Sequence, residues 1–201
     1  MSDIIRLPDK NNPTKPEKPN TIRLRDKDQL LQKVSRQVVL LLDGSSSMDN
    51  AKKNFATSGA VAFAQGALDK NYSVAVVGFS TEAQLICKPT TDIARLRKSC
   101  QCWPVSGGTF IGAGLNAAAR LGLNSADVIV VVTDGACGQP NETLVIASNL
   151  KTKGIEILAI GTDDADQSFL QQLASRPDMG LKVDVARFAS TISDASRLLK
   201  S

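Results

Sequence analysis

The sequence predicts an α/β fold, a doubly wound and mostly parallel sheet of six strands with helices on both faces. Segments rich in Val, Ile and Leu alternate along the chain with segments whose apolar residues recur every three or four positions. The strand segments are apolar throughout, which indicates burial on both faces, as in a parallel sheet covered by helices. A length of 201 residues suits a single domain of this kind.

The segment before the first strand differs in composition from the rest of the chain. Residues 1–20 contain four of the eight prolines, and residues 9–20 contain no apolar residue, which predicts a flexible tail rich in Pro and Lys. Residues 21–36 regain some apolar side chains, and we expect them to form an edge strand or a helix that packs on the domain. The domain itself is predicted to span residues 37–201.

Each predicted strand is a short aliphatic run. The first run ends on Asp43, and the run that ends on Thr133 and Asp134 is equally apolar. A weaker run that begins at Ala83 is predicted to be an edge strand. The six strands are expected at Val38–Leu42, Val74–Phe79, Ala83–Ile86, Val128–Val132, Ile155–Ile160 and Val183–Ala186.

Each predicted helix has apolar residues at helical spacing. The first helix has apolar residues at helical spacing, and Asp49 directly before it is suited to cap its N-terminus. These residues are Phe55, Ala60, Phe63, Ala64 and Ala67. The helices are expected at Asn50–Leu68, Ile93–Lys98, Ile111–Leu121, Glu142–Lys151, Gln167–Ala174 and Ser190–Leu199.

The composition excludes several kinds of site. The chain has no histidine, which excludes Ser-His-Asp and Cys-His nucleophiles and every His-ligated zinc or iron site. No apolar run approaches the length of about 20 residues that spans a membrane, and the first thirty residues lack the apolar core of a signal peptide. We therefore expect a cytoplasmic protein with no membrane partner.

The positive charge is confined to the N-terminal segment. Residues 1–36 hold nine Lys or Arg and five Asp or Glu, which accounts for the whole net charge of +4. The rest of the chain is neutral, and its few aromatic residues are not interleaved with basic clusters. These features argue against a nucleic-acid partner.

The four cysteines are predicted to be reduced, structural thiols, because the chain shows no export signal. Their closest spacing, from Cys100 to Cys102, is poor for chelating zinc. A redox role for this pair stays open, and the sequence does not assign a role to Cys87 or Cys137.

Three loops at the predicted carboxyl edge of the sheet carry oxygen ligands. The ligands are Asp43, Ser45 and Ser47 after the first strand, Thr109 in a Gly-Gly-Thr segment, and Asp134 after the Val-rich strand. In open α/β sheets, ligands bind at this edge where the strand order reverses. We expect the five side chains to converge if the first strand and the Val-rich strand are neighbours.

Oxygen ligands of this kind favour a hard cation such as Mg2+ or Mn2+. Only two carboxylates would face the divalent ion, so the site would be nearly neutral and the metal would stay electrophilic. One open coordination position would then attract a carboxylate from another molecule. The residues themselves therefore predict a metal site that an outside acidic group can complete.

The order Asp43-x-Ser45-x-Ser47, Gly-Gly-Thr109 and Thr-Asp134-Gly resembles the metal-ion-dependent adhesion site of von Willebrand factor type A domains. The flanking sequence agrees, because Met follows the serines, Ala-Gly-Leu follows the threonine, and Ile-Gly-Thr-Asp follows the fifth strand. The resemblance covers roughly residues 37–200.

The resemblance implies a role for each residue of the site. Ser45, Ser47 and Thr109 would bind the metal directly, Asp43 and Asp134 would act mainly through water, and an Asp or Glu of a partner protein would complete the shell. The implied protein is a metal-dependent protein–protein interaction module of the bacterial intracellular type, without enzymatic activity. It would serve as an adaptor or regulatory component, with an ATPase, kinase or phosphatase complex as an expected setting.

Two positions depart from the pattern of the family. Ser46 stands where glycine is commoner, which constrains the loop without removing an oxygen ligand. The run Gly135–Gly138 is unusual after the last aspartate and bears on the shape of the ligand face.

Other interpretations stay open at this point. A metal-dependent phosphohydrolase of the haloacid-dehalogenase-like type also has an Asp at the end of strand one, but serine at position 45 replaces its second carboxylate. A second alternative is that the loops only cap the helices that follow them. A third is a regulatory or structural domain whose metal site is intact but unused. Asp163, Asp164 and Asp166 are expected to begin a helix in solvent rather than to bind a second cation.

Overall fold

The protein is described by a computed structural model, which covers residues 36–103 and 106–200. These residues belong to one compact unit, residues 34–201. The predictions for the tail (1–20) and for the following extension (21–36, apart from its last residue) lie outside the described residues. No helix in the described ranges is both long enough and apolar enough to cross a bilayer.

The sheet has six strands in the order β3-β2-β1-β4-β5-β6. All neighbours run parallel except β2 and β3, which are antiparallel. This arrangement, with helices flanking the sheet, confirms the predicted fold class. The strands are β1 (Gln37–Asp43), β2 (Ser73–Phe79), β3 (Ala83–Thr90), β4 (Val128–Thr133), β5 (Glu156–Gly161) and β6 (Gly180–Lys182).

Six α-helices connect or flank these strands in the described residues. Asp49 caps the first helix, because its side chain accepts a hydrogen bond of 2.8 Å from the backbone N–H of Lys52. Short 3-10 turns cover Pro177–Met179 and Ala195–Leu198. The helices are α1 (Asn50–Asp69), α2 (Ile93–Ser99), α3 (Ile111–Ala119), α4 (Pro140–Thr152), α5 (Gln167–Leu173) and α6 (Val185–Asp194).

The prediction of a last strand at Val183–Ala186 is wrong. The sixth strand is β6, and Val185 already begins α6, which the sequence placed five residues later. The apolar residues Val185, Phe188 and Ile192 are spaced for a helix, and the last two are buried. A short alternation of apolar and polar residues at the start of this helix therefore resembled a strand.

The site is positioned by the two central strands. β1 pairs with β2 on one side and with β4 on the other, so the strand order reverses between β1 and β4. Both strands are buried along nearly their whole length. Their carboxyl ends therefore meet at the switch point, as the sequence predicts.

Candidate metal centre

Three loops meet at the carboxyl ends of β1 and β4. The loop after β1 is joined to the Gly-Gly-Thr loop by backbone hydrogen bonds from Ser106 N to Gly44 O (2.7 Å) and from Ser46 N to Gly107 O (3.0 Å). The loop after β4 joins them through a bond from Gly138 N to Thr109 O (3.0 Å). The predicted convergence of the three loops is therefore present in the structure.

Asp43 and Asp134 are both buried at this junction. One carboxylate oxygen of Asp43 accepts a bond from Ser45 N (2.7 Å), and the other accepts a bond from the hydroxyl of Thr133 (2.5 Å). Asp134 Oδ1 accepts a bond from Ser47 Oγ (2.8 Å). The protein thus fixes both acids by hydrogen bonds from the residues around them.

The hydroxyl groups of the three loops lie close together. Ser45 Oγ and Ser47 Oγ are 2.9 Å apart. A Cβ atom added at Gly135 would lie 2.9 Å from Thr109 Oγ1 and 3.5 Å from Ser47 Oγ, so these two hydroxyls face the same small space. Ser47 is exposed, whereas Ser45 and Thr109 are buried, so the group opens to solvent on the side of Ser47.

This donor set fits a hard divalent cation. Two carboxylates and three hydroxyls offer only oxygen, the ligand type that Mg2+ and Mn2+ prefer. The space that a side chain at Gly135 would fill is bordered by two of these hydroxyls. Cys137, the cysteine nearest to these residues in sequence, instead contacts the hydroxyl of Thr143 at 3.4 Å.

The buried acids make the site electrostatically demanding. Burial raises the pKa of Asp43 above its usual value of 3.8, and the nearby charge of Asp134 adds to this effect. Hydrogen bonds from Thr133 and Ser45 oppose the shift without cancelling it. A cation near Asp43 would therefore stabilise its ionised form.

Lys52 is a member of the site that the sequence analysis missed. Its ammonium lies 2.5 Å from Asp134 Oδ2 and 3.1 Å from Asp163 Oδ2. Burial alone lowers the pKa of Lys52, but the two ion pairs outweigh it, and the pKa is raised. The contact with Asp134 joins positions 82 residues apart, so no local pattern in the sequence indicates it.

Trp103 was also missed. Its indole N–H donates a hydrogen bond of 3.0 Å to the backbone carbonyl of Asp43, in the interior of the protein. Lys53 binds the carbonyl of Trp103 at 2.9 Å and lies over its ring. The side chain thus anchors the end of β1, a contact across sixty positions that no local pattern indicates.

The two departures from the family pattern have structural explanations. Ser46 Oγ donates to the carbonyl of Gly107 at 3.1 Å, so this serine adds a tie between two of the loops. A Cβ atom at Gly138 would lie 2.5 Å from the ring of Phe110, so glycine leaves room for that ring. Gly135 leaves room for Thr109 in the same way.

The acidic residues after β5 cap helix α5 and pair with Lys52. Asp166 caps α5 by accepting a bond of 2.9 Å from Phe169 N, while Asp163 pairs with Lys52. No group of three acids or thiols suited to a metal ion occurs in the described ranges. Asp166 therefore begins the helix as the sequence predicts, whereas Asp163 pairs with a lysine of another helix.

All four cysteines are free thiols. Cys87 and Cys100 are buried, and burial together with the neighbouring Cys87 raises the pKa of Cys100 to about 12. Such a thiol stays protonated and unreactive at neutral pH. Cys102 is exposed.

Comparison with known proteins places this architecture in a family. A family model described as the von Willebrand factor type A domain matches residues 37–199. Matrilin-3 from Gallus gallus is 35% identical over a stretch that covers 37% of this chain and only 18% of Matrilin-3.

Solved structures of other proteins share the fold, including these two. The vWF domain of the type V pili tip protein Mfa5 from Porphyromonas gingivalis has a TM-score of 0.71 and 15% identity, over 83% of this chain and 97% of that one. Proximal thread matrix protein 1 from the mussel byssus, solved with a zinc-occupied MIDAS motif, has a TM-score of 0.64 and 21% identity, over 82% of this chain and 45% of that one.

Proposed function

This chain belongs to the von Willebrand factor type A domain family, and we propose that it is a metal-dependent protein-interaction module whose metal ion recognises an acidic residue of a partner. In this proposal Ser45, Ser47 and Thr109 hold Mg2+ or Mn2+ through their hydroxyls. Asp43 and Asp134 hold water ligands of the ion and offset its charge.

The observation that carries the proposal is the grouping of two buried carboxylates with three hydroxyls at the switch point of the sheet. Asp43 and Asp134 are both buried, and within the described residues the ion pair of Lys52 with Asp134 is the only one that either acid forms. Buried charges are stable only when they are paired or bind metals. A cation at this place would balance the charge of the other carboxylate, that of Asp43. The zinc-occupied MIDAS motif in the mussel protein supports a metal at the corresponding motif.

The same arrangement favours an acidic ligand. The ion supplies a positive charge and one exchangeable coordination position when it is bound. Ser45, Ser47 and Thr109 add no charge around the ion. The ion therefore keeps a positive field that attracts the carboxylate of a partner. Ser47 is exposed, which gives the partner access from solvent. We propose an adaptor or regulatory role in a complex, for which an ATPase, kinase or phosphatase is an expected neighbour.

The test is capture of partners by the immobilised protein, once in Mg2+ and once in EDTA. For a partner identified in this way, the affinity is then measured in Mg2+, in EDTA, and after replacement of each acidic residue of the contact by Ala. We expect binding to require both the metal and one acidic residue. Equal affinity in Mg2+ and EDTA would show that the partner uses another face.

Variants of the domain sharpen this test. Thr109→Ala removes one hydroxyl and no charge, whereas Asp43→Ala removes a carboxylate, so Thr109→Ala is expected to weaken partner binding less. A phosphatase assay on generic phosphate esters examines the phosphohydrolase alternative directly. Turnover that depends on Asp43 would favour that alternative.

A further inference from the structure

We propose that Lys52 is a built-in counter-cation of this site, which holds one oxygen of Asp134 and lowers the affinity of the site for a divalent ion. The inference rests on the proposed function, because it concerns the regulation of the same metal site. It predicts that removal of the lysine tightens metal binding, which is the opposite of what removal of a supporting residue does.

The geometry divides the two oxygens of Asp134 between different groups. Oδ2 accepts from the ammonium of Lys52 at 2.5 Å, whereas Oδ1 accepts from the hydroxyl of Ser47 at 2.8 Å. Asp134 is buried, and the Lys52 side chain is only 14% exposed. The lysine therefore fixes the orientation of the carboxylate and leaves Oδ1 directed toward the proposed ligands.

The local charges explain why this contact affects a metal. Within the described residues, Lys52 forms ion pairs with Asp134 and Asp163, whereas the neighbouring Asp43 forms none. Without a metal, the ammonium offsets the charge of Asp134, which would otherwise be a buried and unpaired carboxylate. With a metal, the same positive charge repels the ion. A like charge a few ångströms away weakens cation binding by about three- to tenfold at a site partly open to water.

The helix itself does not account for the position of Lys52. The first turn of a helix favours acids and disfavours lysine, because the helix dipole is positive there. The adjacent Lys53 binds the carbonyl of Trp103 instead. The ammonium of Lys52 instead contacts acids of two loops, Asp134 and Asp163.

The experiment compares Mg2+ affinity, measured by calorimetric titration, for the wild type, Lys52→Gln and Lys52→Arg. Lys98→Gln is the matched control, because it removes the same charge from an exposed position on α2. We expect Lys52→Gln, which keeps a hydrogen-bond donor for Asp134, to bind Mg2+ about three- to tenfold more tightly. The affinities of Lys52→Arg and Lys98→Gln are expected to stay close to that of the wild type. An affinity of Lys52→Gln equal to or below that of the wild type would overturn the inference.

Thermal unfolding and the rate of ion release provide a second test, which applies even if Lys52→Gln folds only in the presence of metal. Thermal unfolding in EDTA is expected to show a lower Tm for Lys52→Gln than for Lys98→Gln. If Lys52→Gln is folded only in Mg2+, release of the ion into excess EDTA is followed through the fluorescence of Trp103. Slower release than in the wild type supports the inference, and equal or faster release contradicts it.

The outcomes separate this inference from the proposed function. If the wild type and Lys52→Gln bind Mg2+ equally, the inference fails and the metal site stands. If only Lys52→Gln binds, Lys52 closes the site and the proposed metal dependence of the natural chain fails. If neither binds, both proposals fail.

Discussion

Asp43 is an acid with no exposed surface at the end of the central strand β1. Burial raises the pKa of its carboxyl group, and the charge of Asp134 raises it further. Without a cation, the protein therefore favours the neutral form of Asp43 over the ionised form that binds a cation. In this account Asp43 serves binding at a cost in the stability of the metal-free protein.

The variant Asp43→Asn separates these two effects, because it keeps the shape of the side chain and removes its charge. We expect its Tm in EDTA to exceed that of the wild type and the increase in Tm on adding Mg2+ to vanish. Differential scanning calorimetry with and without Mg2+ measures both quantities, with Asp164→Asn as the control at an exposed acid of the same edge. A lower Tm in EDTA, or an unchanged response to Mg2+, would contradict this account.

The raised pKa of Asp43 also predicts a pH dependence of stability in EDTA. The folded protein holds the proton of Asp43 more tightly than the unfolded chain does. The stabilising contribution is therefore complete below the ordinary pKa of 3.8 and is lost as the pH rises through the raised folded pKa. Urea denaturation of the wild type and Asp43→Asn over a series of pH values measures it. The stability of the wild type relative to the variant is expected to fall with rising pH, and parallel curves would refute the assignment.

Gly135 tests the space between the proposed ligands. An alanine Cβ there would lie 2.9 Å from Thr109 Oγ1, and rotation of the threonine would relieve the contact without moving the backbone. We expect Gly135→Ala to weaken Mg2+ binding while the Tm in EDTA changes little. The control is Gly108→Ala in the adjoining loop, where the nearest atom is 3.7 Å away. Similar Mg2+ affinities for the two variants, measured by titration calorimetry, would argue against a metal at this place.

At the scale of elements, Asp127 joins the amino ends of two central strands. Its carboxylate accepts bonds of 2.7 Å from the backbone N–H groups of Gln37, which begins β1, and Asn124, which lies just before β4. Because Asp127 is buried and lies at the opposite edge from the proposed metal site, its role is structural.

Asp127→Ala is expected to lower the free energy of unfolding by about 1–3 kcal/mol, because it leaves backbone donors without a partner. Mg2+ affinity is expected to remain that of the wild type. Urea denaturation measures the change, with Asp178→Ala as the control, because Asp178 is 67% exposed and pairs only with the exposed Arg176 in the described residues. A stability change as small as that of the control would show that water replaces the carboxylate.

The elements also show where a sequence predicts structure well. The buried strands β1, β2, β4 and β5 lie within one residue of their predicted bounds, because every residue of a buried strand carries an apolar signal. The edge strand β3 extends to Thr90, four residues beyond the prediction. Pro89 interrupts the strand pattern there, but an edge strand with register shifts tolerates proline. Phe55 belongs to the apolar pattern that predicts the first helix, but it is 39% exposed, whereas Phe63 of the same pattern is buried.

The five residues of the proposed site are predicted from the sequence because each follows a strand or lies in a short motif. The roles of Lys52, Thr133 and Trp103 are not predicted, because they arise from contacts between distant positions. The bond between Lys52 and Asp134 spans 82 positions, and the bond between Trp103 and Asp43 spans 60. Residue type and local spacing therefore predict the ligands but not the residues that orient and balance them.

At the scale of the whole molecule, the domain is predicted to fold without its N-terminal tail. Residues 1–20 carry too little apolar surface to offset the entropy of ordering them. A chain that begins at Thr21 is expected to keep the Tm and the Mg2+ affinity of the full chain. Thermal unfolding of both proteins measures this, and a loss of several kcal/mol in stability would place the boundary of the domain elsewhere.

The central claim is that each chain binds one divalent cation at the carboxyl edge of its sheet. Calorimetric titration of the wild type with Mg2+, beside Asp43→Asn under the same conditions, tests it most directly. We expect one bound ion per chain for the wild type and none for the variant. Absence of binding to the wild type at millimolar Mg2+ or Mn2+, or equal binding to the variant, would contradict the claim.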